Sequence, residues 1–120
     1  MGNIKISEEV IAVVSGIAAS EVKGVAGMSS SFASGIAELL GKKSLAKGVK
    51  VELGETTTAI GISLIVDYGC RIPDVAWEVQ EKVKKAVEGM TGLEVLEVNI
   101  FIDGLIVPKD EKPSDEEAQN

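Results

Sequence analysis

The sequence predicts an α+β fold: an antiparallel-rich mixed sheet of about four strands with two long helices packed on one face, in the order β-α-α-β-β-α-β. Three observations carry this. Two long segments, 7–23 and 72–90, repeat apolar residues with the period of a helix. Segments within 49–53, 59–68 and 96–102 alternate apolar and polar residues, as half-buried strands do. Aromatic residues make up only 3% of the chain, so the interior must be assembled from Val, Ile, Leu and Ala on regular elements.

Taken in order, "NIKIS" alternates briefly and predicts a short first strand. Ser7 is placed to cap the helix that follows, with Glu8 and Glu9 favourable at its positive end. Val10, Val14 and Ile17 share one direction on that helix, flanked by Ile11, Ala18 and Val22, and form its expected buried stripe. Gly24 suits its end. "SSSFASGIAELLGKKS" places Phe32, Ile36, Leu39 and Leu40 at helical spacing and predicts a second, shorter helix stopped by Gly41. "GVKVEL" and "TAIGISLIVDY" then read as two strands joined by a hairpin turn at "GETT". The longer one sets Ile60, Ile62, Leu64, Val66 and Tyr68 on one face; Ala59, Gly61, Ser63, Ile65 and Asp67 form the other, which is neither fully polar nor a second core.

Pro73 and Asp74 fit the first turn of a long helix. Its predicted buried side is Val75, Ala76, Val79, Val83, Ala86, Val87 and Met90. In the last strand Leu96, Val98, Ile100 and Ile102 alternate with Glu97, Asn99, Phe101 and Asp103, and Asp103-Gly104 reads as a turn. Residues 1–108 thus form one domain, and the acidic tail 109–120 is expected to be disordered.

A net charge of -7 disfavours indiscriminate attraction to phosphate backbones or anionic lipid. A single cysteine makes no internal disulfide, and the start of the chain lacks the marks of a signal peptide, so a cytoplasmic protein is expected. Met1-Gly2 does not open a lipidation motif, because Ile6 stands where Ser or Thr is required.

Histidine is absent, which removes the commonest general base and metal ligand. With one thiol and no imidazole, no structural zinc is expected. Cys70 lies beside Arg71 and a helix start, surroundings that activate a thiol. Without a neighbouring base, though, a small residue filling a strand end is the favoured reading. Arg71 is a candidate anion contact at the helix start, although "YGCRIPD" matches no phosphate-cradling motif. Lys42 and Lys43, with Lys47 and Lys50, are a second such candidate; a charge run is more often a solvated face. "GVAG" at 24–27 resembles the GXXG loop of a KH module, the alternative RNA-binding reading. Val25 and Ala26 stand where polar or basic residues belong, and nucleic acid is disfavoured. No catalytic constellation, cofactor motif or enzyme is read.

Candidate contact surfaces are easier to find. Trp77 points away from the apolar stripe of its helix and shares its side with Glu81 and Lys84. Phe101 alternates out of the core stripe of the last strand, and Ala12, Gly16 and Ala19 leave one edge of the first helix almost bare. Packing within the same chain, for Trp77 under the Gly- and Ser-rich segment, is the equal alternative at each; three such surfaces without a catalytic constellation favour an assembly or adaptor protein.

Across roughly residues 4–107, the segments "ISEEVIAVVSGIAASEVKGVAGM", "GVKVEL", "VDYGCRIPDVAWEVQEKVKKAV" and "VNIFIDGL" resemble the alkaline shock protein family, the bacterial envelope stress response proteins. The segment "FASGIAELLGKKSLAKGVKVEL" is most similar to its small soluble branch, associated with lipid synthesis. The resemblance implies a non-enzymatic, cytosolic scaffold of Gram-positive-type bacteria that forms a homo-oligomer. It further implies a peripheral place under the membrane through an anchor protein, or lipid-synthesis proteins as partners, and supplies no catalytic residues.

Overall fold

The computed structural model describes residues 2–28 and 46–108. The predicted short helix over Phe32–Leu40, Lys42 and Lys43, and the tail 109–120 lie outside the described residues.

Helix α1 spans Glu8–Ser20, and the Ser7 hydroxyl accepts a hydrogen bond from the Val10 N–H at 3.2 Å, as the sequence predicts. Ser7→Ala should therefore lower stability by about 1 kcal/mol, read as a shift in the urea midpoint. The helix ends three residues earlier than its apolar pattern suggests. A turn through Gly24 leads into strand β1, Val25–Met28.

The class, the four strands and the two long helices are as predicted, but one strand is not where "NIKIS" places it. Residues 2–7 are irregular and Ile4 is exposed. The segment "VAGM" supplies that strand instead, antiparallel to the far end of β3. Three consecutive alternating residues at a chain end have nothing to pair with unless a sheet edge is free beside them.

Strands β2 (Val49–Leu53), β3 (Thr57–Asp67) and β4 (Glu94–Ile106) complete a sheet organised around β3. One edge of β3 is shared: β2 pairs antiparallel with residues 58–62 and β1 with 64–66. The other edge is taken along its whole length by β4, in parallel. A parallel neighbour needs a crossover, and helix α2 (Ile72–Thr91) provides it.

Two bulges break the register of β4, one between Val95 and Glu97 and one between Ile102 and Gly104. Each adds a residue and shifts the alternation. Val95 and Val98 consequently face the core, while Leu96, predicted inward, is 60% exposed. Asp103-Gly104, predicted as a turn, is the second bulge inside a continuous strand.

Helix α2 buries a single i, i+4 row, Val75, Val79, Val83 and Val87. Met90, predicted on that row, is exposed, as is Tyr68, which lies just past the end of β3. Gly92 ends the helix at φ 77° with its N–H on the Glu88 carbonyl. Two side chains tie α2 to β4: Gln80 Nε2 donates to the Val98 carbonyl at 2.9 Å, and Glu88 Oε2 accepts from the Val95 N–H at 3.0 Å.

The buried side of α1 is turned from the predicted one: Ile11, Ala18 and Val22 are buried as expected and Val14 packs on the core, but the stripe extends over the small residues instead of Val10 and Ile17. Ile11, Ala12, Ser15, Gly16, Ala18 and Ala19 face inward, whereas Val10 and Ile17 are partly exposed. Helix α1 packs against α2 as well as against β1 and β2, and a close pair of helices favours small residues at the contact. Ser15 tolerates this burial because its hydroxyl donates to the Ile11 carbonyl at 2.8 Å.

Candidate interaction surfaces

Helix α2 presents its charged side outward. There Trp77 is 62% exposed, and Glu81 and Lys84 on the same side are exposed with it. The proline-started first turn and the valine row fix this orientation, because burying Val75, Val79 and Val83 leaves the ring nowhere to go but out.

Phe101 lies on the other side of the molecule. In register it stands beside Ser63, which alternates with the buried Ile62 and Leu64, so its ring is on the sheet face away from the helices. The ring approaches Gly61: its Cε2 lies 3.6 Å from where a Cβ there would stand. Phe101 remains 55% exposed. No described element covers this outer face, whose floor is the half-buried Ala59, Gly61, Ser63 and Ile65.

The third predicted surface is not a surface. Ala12, Gly16 and Ala19 are buried inside the fold. The candidate contact residues thus divide into Trp77, Glu81 and Lys84 on the helix layer, Phe101 on the bare sheet, and an internal edge.

Sequence reasoning missed Leu96, which shares a shallow depression with Glu52, Thr57 and Ala59 and therefore belongs to the outer sheet face with Phe101. Its signal was hidden by the first bulge of β4.

The start of α2 does not form an anion cradle. The Arg71 guanidinium already pairs with Asp74 at 3.1 Å, an exposed contact of about 0–1 kcal/mol. Asp67 and Glu78 line the same shallow depression, so carboxylates outnumber the cations Lys23 and Arg71 there. Cys70 is half-buried against the core beside Gly24, its N–H on the Asp67 carbonyl, in the position of a filler.

The KH-like reading fails on the backbone. Gly24–Gly27 is not a loop between helices: Val25–Met28 is strand, and the Gly24 carbonyl accepts the Asp67 N–H at 2.9 Å.

A cavity of about 570 Å3 lies between residues 4–6, the β2–β3 turn and the end of α2. Lys5 and Glu55 are the only ionisable residues among the described ones that line it, and they offer no paired acid and base. Among the described residues, no three carboxylates or thiols gather as metal ligands, and no helix is long and apolar enough to cross a membrane.

A family model for the ASP23 family, with a cell envelope-related function, matches residues 1–107. The chain belongs to the ASP23 family. The resemblance read from the sequence is therefore correct. YqhY of Bacillus subtilis (strain 168) is 45% identical over 105 residues, covering 88% of this ASP23-family chain and 78% of that protein. YloU of the same organism is 42% identical over 108 residues, with 88% and 90% covered. A stress response regulator gls24 homolog of Streptococcus pyogenes serotype M3 is 28% identical over 102 residues, covering 84% of this chain and 57% of that protein. Among solved structures, the MamM-CTD is similar with a TM-score of 0.50 at 16% identity, covering 82% and 99% of the two chains. At that identity the likeness concerns the fold alone.

Proposed function

We propose that this chain is a non-enzymatic scaffold of the bacterial cell envelope that self-associates and works by holding other proteins. The observation that carries this reading is the opposed placement of two exposed aromatics, Trp77 on the helix layer and Phe101 on the bare sheet. Exposed aromatics are the residue type that anchors interfaces. A body with an anchor on each of two opposite faces holds two neighbours at once, which is what a scaffold does. The family's cell envelope-related function and the stress response regulator among its relatives support a role in envelope stress. The alkaline shock resemblance supports a place in the cytoplasm, at the inner membrane face through an anchor protein, and a part in lipid homeostasis.

Light scattering of the full chain over a range of concentrations tests self-association. Wild type should rise above the monomer mass as concentration increases. Trp77→Ala should weaken association about 10- to 30-fold, as the loss of a central aromatic anchor does. It should melt like wild type, since the ring is exposed. A wild type that stays monomeric at every concentration would refute the scaffold reading.

A further inference from the structure

We propose that the outer face of the sheet, which no described element covers, is a two-fold self-contact, in which a second copy stacks with its strands reversed. The idea rests on the self-association proposed above and adds to the Trp77 contact on the helix layer a second contact on the opposite face. The register places the polar residues of that face in two matched rows. On β2, Lys50 stands beside Gly61 and Glu52 beside Ala59; on β4, Asn99 stands beside Gly61 and Glu97 beside Ala59. All four are exposed.

A half-turn about an axis crossing the strands midway between Ala59 and Gly61 exchanges those two levels and keeps each strand over its own counterpart. Lys50 of one copy then meets Glu52 of the other, twice. Asn99, an amide donor, meets Glu97, also twice. The same operation carries the level of Ser63 onto that of Thr57. Phe101 of one copy therefore falls near Leu96 of the other, which puts two exposed large apolar residues of this face together. One symmetry axis thus pairs opposite charges, donor with acceptor, and ring with aliphatic chain. Isologous contacts have this self-complementary form, and aligned sheet stacking is a standard geometry.

The face is small. Three strands at about 4.8 Å spacing and some seven residues at about 3.3 Å rise give roughly 330 Å2 of projected area per copy. That is below the usual ~800 Å2 per partner, so the contact should be weak and concentration-dependent.

Charge exchange at two exposed positions tests it, with sedimentation equilibrium of the full chain as the readout. K50E sets carboxylates against carboxylates at both sites, and E52K sets ammonium groups against each other. Each single variant should self-associate at least ~10-fold more weakly than wild type. The K50E/E52K double variant should recover to within ~3-fold, and an equimolar mixture of the two single variants should associate with each other. E52K is the deciding variant. It makes an acidic chain less acidic, so relief of general repulsion alone would strengthen association, whereas the sheet contact requires it to weaken. E52K associating as well as wild type, or failure of the double variant and the mixture to recover, would overturn the proposal and leave scaffold self-association standing. A monomeric wild type would overturn both.

Discussion

Ala19→Glu is expected to abolish the folded state. Ala19 has no exposed surface, and it sits with Ala12 and Gly16 on the edge of α1 that closes on the rest of the fold. A carboxylate there has neither room nor a partner, and an uncompensated buried charge costs about 3–5 kcal/mol before any overpacking is added. A domain of this size has ~5–15 kcal/mol in all. The expected result is a cooperative urea transition moved to very low denaturant, or lost. Ile17→Glu, two positions earlier on the same helix but 39% exposed, is the control and should stay within about 1 kcal/mol of wild type. The pair separates an internal helix contact from a docking surface. If Ala19→Glu folded normally and lost only association, the small-residue edge would be external after all.

Gly24→Ala is expected to cost about 2–4 kcal/mol. Gly24 has φ +103°, a conformation that disfavours any side chain, and a Cβ there would lie 2.8 Å from Val75 Cγ2 and 3.4 Å from Cys70 Cβ. Backbone strain contributes about 1–3 kcal/mol and crowding a comparable amount. Val75 begins the buried row of α2, so the clash cannot be relieved by turning a free side chain outward. In a domain near 100 residues, 2–4 kcal/mol lowers the melting temperature by more than about 10 °C. A melt within 3 °C of wild type would show that the turn between α1 and β1 yields easily. Gly69, also at positive φ but with nothing near its Cβ position, should lose less on the same substitution.

How much of this was legible beforehand depends on the element. The valine row of α2 is so regular that its buried side, and hence the outward direction of Trp77, followed from period alone. The face of β3 did too, since Ile60, Ile62, Leu64 and Val66 are all buried. Helix α1 misled in part: Ile11 and Ala18 are buried as predicted, but Val10 and Ile17 lie outward and Ala12, Gly16 and Ala19 inward. Periodicity centres the core on the larger residues, whereas tertiary packing turns the helix toward its small ones. In β4, Leu96 fits a strict alternation, and only pairing with β3 shows the bulge that turns it outward.

By itself, the sequence determined the class of fold, the two long helices, the central strand and the family, because these depend on local period, composition and the order of segments along the chain. Tertiary structure alone decided that the small-residue edge of α1 is internal, that "VAGM" is a strand, and that Phe101 and Leu96 share a bare sheet face opposite Trp77. The physical reason is that burial is set by what lies across a contact, and that partner is distant in sequence. Periodicity gives the direction in which a side chain points, but not what it meets there.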